Sequence, residues 1–434
     1  LFCGDLDAAT VINTQLFSDR LVIGSPGARI AATQPFRLHA RWINFNRNLG
    51  GLPIAGNASV VWQTTYPQAS IAFDNAAQSP LLAAFVAAAA QSDYAGIMLR
   101  FSAYRTLYFQ NGIRNNIVEQ PRDQIQLRTL YQQGKIFSNP AYSVVTGVVG
   151  IWRHGEFRSE PNGRRLFAVA TVPSTAPGLA AVPFGAAIAH VDEMQAKLSI
   201  DFGSTIPERN EALDKATYGD LELRVRAADG TITAIAPIAQ AQYGKDAYEA
   251  SSGILDIDLS EHADPSIMIK IATGDLLIAT SSLVALRESP LIAFCDTRDV
   301  YVEEGAPTAV TVAVRERGKP PSAGVHVAVF SYGRNQAPLP ASPSPAPVVL
   351  QPDAAGNTTL PILPTVPGLV NFALLPFSAP NPTPVQPPGL NVNAHTYISV
   401  RVMPFDNALE ASTSDSALSF SFIFREILQV YDII

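Results

Sequence analysis

The stretch Ala309–Gly333, AVTVAVRERGKPPSAGVHVAVFSYG, decides the fold class. Val310, Val312 and Val314 alternate with small or polar residues, and so do Val325, Val327 and Val329. That period of two is the pattern of a half-buried strand, and the Gly/Pro-rich run between the two triplets turns the chain. Working outward, VYVEEG (Val300–Gly305) precedes this pair. A Pro-rich excursion, LQPDAAGNTTLPIL (Leu350–Leu363), PGLVNFALLPF (Pro367–Phe377) and TYISVRVMP (Thr396–Pro404) follow it. About a hundred residues of short strands cut by Pro and Gly predict a two-sheet β-sandwich over 299–403.

Composition extends the β reading to the whole chain. Of 434 residues, 15% are charged and 47% hydrophobic, with 34 Pro and 28 Gly. Average proteins carry about 25% charged residues. Many short strands joined by Pro/Gly turns suit this mixture better than long charged helices, so a mainly β, multi-domain fold is expected. The net charge of −7, with no basic run, argues against a nucleic-acid partner. No apolar run reaches the roughly 18 residues that span a bilayer, and no leader is legible, so a cytoplasmic location is expected. A chain that starts at Leu1 is expected to lack its true N-terminus. Cys3 and Cys295, the only cysteines, read as buried small hydrophobes rather than a disulfide framework or zinc site.

Taken in order, residues 1–140 read as strands with one or two helices. Asp19–Ser25, Pro35–Phe45, Ala58–Tyr66 and Gly96–Phe109 alternate as strands do. Ser79-Pro80 is an N-cap followed by Pro at the first helical position, and Leu81, Leu82, Phe85 and Val86 share a face. A second helix is predicted over 123–133. Residues 141–298 form a second β-rich region: Ser143–Trp152 and Arg164–Val172 flank a polar loop, Asp229-Gly230 marks a hairpin, and Ser266–Ser289 is read as two strands. Residues 404–434 form a junction segment. A polar loop over Asp406–Ser416 leads into Leu418–Ile434, whose first half alternates as a strand; Phe424, Ile427, Leu428, Tyr431 and Ile434 then recur at helical spacing. These residues, with Phe424, Ile427, Leu428 and Tyr431 foremost, are candidate partner-binding positions, because an exposed apolar stripe of that size is unusual on a monomer.

Two resemblances add to this. Gly324–Val329 (G-V-x-V-x-V) ahead of Asp353–Gly356 (D-x-x-G) resembles bacterial immunoglobulin-like modules, so the sandwich is expected to be immunoglobulin-like. YISVRVMP (Tyr397–Pro404) and LSFSFIFREILQVYDII (Leu418–Ile434) resemble the junction between the β-rich and ferritin-like halves of the chromopyrrolic-acid synthases. These are also the iminophenyl-pyruvate dimer synthases. Ser79–Ser102 and Gly147–Leu166, GVVGIWRHGEFRSEPNGRRL, are similar to further segments of that family in the same order. Ile151 stands where the family pattern has Pro, and Glu160-Pro161 is shifted in spacing. The resemblance implies the scaffold half of an enzyme that oxidatively couples two imines derived from indole-3-pyruvate. It implies a ferritin-like domain or subunit beyond Ile434, iron or haem in that half and none in this chain, and an amino-acid oxidase upstream. It carries no catalytic residue onto this chain. A non-enzymatic immunoglobulin-like binding or assembly protein is the alternative.

The residues themselves offer one polar constellation. Six histidines are scattered without the H-x-H, H-x-x-x-H or H-E-x-x-H spacing that aims two imidazoles at one metal. The loop after Ser143–Trp152 gathers Trp152, Arg153, His154, Arg158 and Arg164, an aromatic, an imidazole and guanidiniums suited to a carboxylate such as an α-keto or α-imino acid. The competing reading is a surface loop whose charges pair with each other. Asp296, Asp299, Glu303 and Glu304 cluster ahead of the sandwich, a set that suits calcium between modules but lacks the EF-hand spacing.

Overall fold

The computed structural model describes residues 2–4, 15–18, 20–32, 36–42, 60–110, 113–115, 133, 142–175, 181–203, 205–207, 215–332, 347–378 and 396–403. It is mainly β and consists of three successive bodies.

The first body runs through β1 (Phe2–Gly4), β2 (Gln15–Ser18), β3 (Leu21–Ser25), β4 (Ala28–Ala32), β5 (Phe36–Trp42), β6 (Val60–Pro67), β7 (Ile71–Asp74), α1 (Pro80–Ala89), β8 (Tyr94–Gln110), β9 (Ile113–Asn115) and β10 (Tyr142–Arg153). The main sheet has the order β1-β2-β5-β6-β8-β10, with β9 on β8, and β3-β4-β7 form a second sheet. The Ser79 hydroxyl accepts from the Leu82 amide at 3.5 Å and Pro80 opens α1, as the sequence predicts. The helix buries Leu82 against Ile30 and Ile97. Pairing of β10 with β8 from Tyr142 to Arg153 carries this body past residue 140, so the expected boundary there moves to Arg153. Two long, mutually paired strands cannot be divided between bodies.

The second body comprises β11 (Arg164–Ala168), β12 (Thr171–Val172), β13 (Val182–Pro183), β14 (Ala187–Asp192), β15 (Lys197–Asp201), β16 (Leu221–Arg226), β17 (Ile232–Ile238), α2 (Lys245–Ser251), β18 (Ile254–Asp258), α3 (Ile267–Thr273), β19 (Asp275–Ala279) and β20 (Val284–Ser289). Eight antiparallel strands line up as β17-β16-β19-β20-β11-β14-β15-β18. In β16, Leu221, Leu223 and Val225 are buried while Glu222, Arg224 and Arg226 stay half-buried, the strict alternation of a one-sided sheet. The Asp229-Gly230 hairpin forms: the Asp229 carboxylate accepts from the Thr231 amide at 2.9 Å and Gly230 takes φ +88°. The strand expected from Ser266 is instead α3. Ile267 and Ile271, one helical turn apart, are buried there while Ile269 is 68% exposed. An Ile-x-Ile-x-Ile run fits either period, and Asp264, which accepts from the Ser266 amide and hydroxyl, starts the helix. The two strands of this stretch are β19 and β20.

The third body is the sandwich: β21 (Leu291–Phe294), β22 (Asp299–Glu303), β23 (Thr308–Glu316), β24 (Val325–Tyr332), β25 (Val348–Leu350), β26 (Asn357–Ile362), β27 (Gly368–Ser378) and β28 (Thr396–Met403). A three-stranded sheet β21-β23-β26 faces a five-stranded sheet β22-β28-β27-β24-β25. The first strand is divided, β21 joining one sheet antiparallel to β23 and β22 the other parallel to β28. This is immunoglobulin-like topology, and β21 shifts its start from 299 to Leu291. Val312, Val314, Val327, Val329, Leu360 and Ile398 meet in its core. Each such side chain contributes about 1.5–3 kcal/mol when buried. In the Asp353–Gly356 turn the Asp353 carboxylate accepts from the amides of Ala355 and Asn357 at 2.9 and 2.8 Å. A Cβ on Gly356 would sit 2.4 Å from the Val314 carbonyl oxygen, so that position tolerates only glycine.

The helix expected over 123–133 lies, but for residue 133, outside the described residues, as do 336–346 and 379–388 of the Pro-rich stretches. So does the whole junction segment 404–434 with Phe424, Ile427, Leu428 and Tyr431. Among the described residues no helix is long and apolar enough to cross a membrane.

Candidate functional site: a cleft beside the joint of three bodies

The loop 154–163 leaves β10 of the first body and enters β11 of the second, and it touches the third. Arg158 donates from Nε to the Thr65 hydroxyl on β6 at 3.1 Å, and its carbonyl accepts from the Gln63 amide group at 3.4 Å. The Asp296 carboxylate, between β21 and β22, accepts from the amides of Arg158 and Ser159 and from the Ser159 hydroxyl at 2.9–3.1 Å. Glu160, 2% exposed, accepts from Arg165 of β11 and from Arg298 beside β22, the latter at 2.6 Å. One buried carboxylate thus bridges guanidiniums from two bodies.

The five candidate residues divide on inspection. Trp152 donates from its indole nitrogen to the Glu156 carbonyl at 3.1 Å and closes the turn after β10. Arg153 pairs with Asp93 at 2.5 Å. Arg158 is exposed on the side of the first body and stands 6.0 Å from the Trp152 ring. Arg164 is buried in a bidentate pair with Glu288 and donates to the carbonyls of Ile271 and Gly274 at 2.6 Å each. It thereby closes the C-terminal end of α3. His154 is exposed. Only His154 and Arg164 line the adjoining cleft, and the Arg164 guanidinium is fully engaged by Glu288 and the two carbonyls. The loop therefore does not gather the five around one ligand; Arg153 turns to Asp93 and Arg158 to Thr65 instead.

That cleft has a volume of about 1250 Å³ and lies between the second body and the sandwich. Its walls are the loop 154–163, the β14 segment around His190 and the outward face of β23. Ion pairs Arg317–Asp275 at 2.8 Å and Lys319–Glu193 at 2.5 Å cross between the two bodies. Arg315 sits with its guanidinium 4.9 Å from the centre of the Phe157 ring. Burial holds the Arg315 pKa below the ordinary arginine value, with Asp353 acting in the opposite direction. Sequence reading missed Arg315 and Phe157. A signal existed: the alternation that buries Val310, Val312 and Val314 puts Ala309, Thr311, Ala313 and Arg315 together on the opposite face.

Asp296 is occupied by loop amides, and among the described residues no three His, Cys, Asp or Glu side chains converge as a metal site. The calcium reading of Asp296, Asp299, Glu303 and Glu304 has no such convergence behind it. Cys295 is buried, its thiol donating to the Thr297 carbonyl, and burial pushes its pKa up to about 12. It is the inert small hydrophobe the sequence suggests.

No protein-family model matches the chain, and no curated protein does. Among solved structures, the crystal structure of invasin, a bacterial integrin-binding protein, is matched over 90% of this chain and 60% of that one. Identity is 11% and the TM-score 0.15, so this likeness carries no argument. The chain spans less than two thirds of invasin's length.

Proposed function

We propose that this chain is the β-rich scaffold half of a chromopyrrolic-acid-synthase-like enzyme, working in the cytoplasm with a ferritin-like domain or subunit. The observation that carries the reading is where Gly147–Leu166, a segment bearing the resemblance, falls. It supplies the second half of β10, the loop and the start of β11, and so joins all three bodies through Arg158, Ser159 and Glu160. Two of its four glycines have steric reasons. A Cβ on Gly147 would lie 2.4 Å from Phe101 Cβ, and one on Gly163 would lie 2.7 Å from the Ala189 carbonyl oxygen. A segment whose buried carboxylate and two crowded glycines serve assembly suits a scaffold better than a catalytic loop.

In this reading the oxidative coupling of two imines derived from indole-3-pyruvate takes place on the helical partner, supplied by an upstream amino-acid oxidase. Among the described residues no three His, Cys, Asp or Glu side chains converge, and no step is assigned to iron or haem here. The test supplies indole-3-pyruvate imine, made in situ by an L-tryptophan oxidase, to three preparations: this chain, the ferritin-like half of a family member, and both together. Coupled product is expected only from the mixture. Product from this chain alone, or equal rates from the helical half with and without it, overturns the reading. A mixture with no product replaces it by a non-enzymatic immunoglobulin-like binding or assembly protein.

A further inference from the structure

We propose that the cleft between the eight-stranded sheet and the sandwich binds a small organic monocarboxylate, held by Arg315, with its body along the small-residue face of β23. The site does not depend on the scaffold reading. Ala309, Thr311 and Ala313 offer a surface with little side-chain relief, and exposure falls along it, from exposed Ala309 and Thr311 to Ala313 at 7%. Arg315 stands at the buried end, stacked over Phe157, which is itself packed 4.5 Å from the Phe294 ring.

The guanidinium is held but not neutralised. Its Nη1 donates to the carbonyls of Val314 and Ala355 at 2.8 and 3.2 Å. Nε and Nη2 have no acceptor among the described residues, and no described carboxylate lies within ion-pair distance. The other cations of the cleft are paired: Arg164 with Glu288, Arg317 with Asp275, Lys319 with Glu193. A half-buried charge with two free, coplanar donors calls for a planar anion, and a carboxylate matches that fork with its two oxygens. A multiply charged anion is disfavoured, because Glu156, Glu193, Asp296 and Glu316 also line the cleft. The apolar floor and a volume well above that of a single ion favour an organic body on the carboxylate.

The test titrates the full chain with 2-naphthoate, a fluorescent planar carboxylate, and with the uncharged 2-naphthyl methyl ketone. Saturable 2-naphthoate binding is expected, with the ketone weaker by about tenfold or more, the size of a lost charge-assisted hydrogen-bond pair. Arg315→Met should weaken 2-naphthoate by about the same factor. Arg153→Met, outside the cleft, should leave it unchanged. Thr311→Trp, at an exposed position where folding is not at stake, should block the floor and abolish binding, and it carries the test if Arg315→Met fails to fold. Equal binding of acid and ketone, undiminished binding to Thr311→Trp or to folded Arg315→Met, or no saturation at millimolar probe overturns the proposal.

Discussion

Replacing Arg164 by Met tests whether this arginine is structural rather than ligand-binding. The side chain is 4% exposed and Glu288 opposite is 0% exposed. Without Arg164, Glu288 keeps only the Leu276 amide, at 2.8 Å, and the Ile271 carbonyl loses its side-chain donor, whereas Gly274 keeps Arg317 at 3.2 Å. Stranding one buried charge costs about 3–5 kcal/mol and the orphaned carbonyl about 1 more. That is a large share of the roughly 5–15 kcal/mol that hold a domain together. Glu288→Met should cost about 3–5 kcal/mol by the same logic. The double variant removes both charges and leaves only amide and carbonyl orphans, so it should lose about 1–3 kcal/mol, far below the sum. Three bodies need not unfold in one step, so the assay is urea unfolding read by hydrogen exchange in the strands 275–289. The reasoning fails if Arg164→Met stays within about 1 kcal/mol of the parent, or if the double variant matches the sum of the singles.

Glu160→Gln leaves Arg165 and Arg298 facing each other without their shared carboxylate. Calorimetry should resolve separate transitions for sandwich and central sheet, with about 2–4 kcal/mol lost; an unchanged single transition would count against the joint. Asp264 is held well below the usual carboxylate range by hydrogen bonds from Lys270 and Ser266. Its folded pKa is depressed, so its contribution is present above the unfolded value near about 4 and is lost as pH falls toward the folded one. Acid titration of Asp264→Asn should lack that component of the parent's stability loss; identical acid limbs would refute it. Buried Cys295 should resist iodoacetamide at pH about 8 in the native state and react only after unfolding, as peptide mapping reads out.

What the sequence made legible follows from how local each signal is. Alternation in Val310–Val314 and Val325–Val329 needs only a two-sided strand, and both strands stand as expected. Ser79-Pro80 and Asp229-Gly230 act within four residues, and both punctuate the chain where they should. Ile267–Ile271 fits a strand and a helix alike, so only the packing of α3 decides it. The candidate loop is legible as a segment, but which of its side chains share one space is not. Which side of a strand or turn each cation leaves from depends on partners distant in sequence, such as Thr65 for Arg158 and Glu288 for Arg164. Arg315 has no local mark in an alternating strand, because its setting comes from Phe157 and Ala355, each about 40 or more positions away in sequence.

The parallel pair β22–β28 has a mechanical consequence. Asp299 opposes Ser399 and Glu303 opposes Met403, so five consecutive residue pairs lie in register. The central body is attached ahead of Asp299, at the entry end of one strand, and a load following Met403 would act at the exit end of the other. Tension between those points shears the five pairs together instead of unzipping them one after another. The sandwich should therefore yield abruptly, at a force set by its unfolding barrier. Under such a load this body behaves as a rigid link rather than a spring.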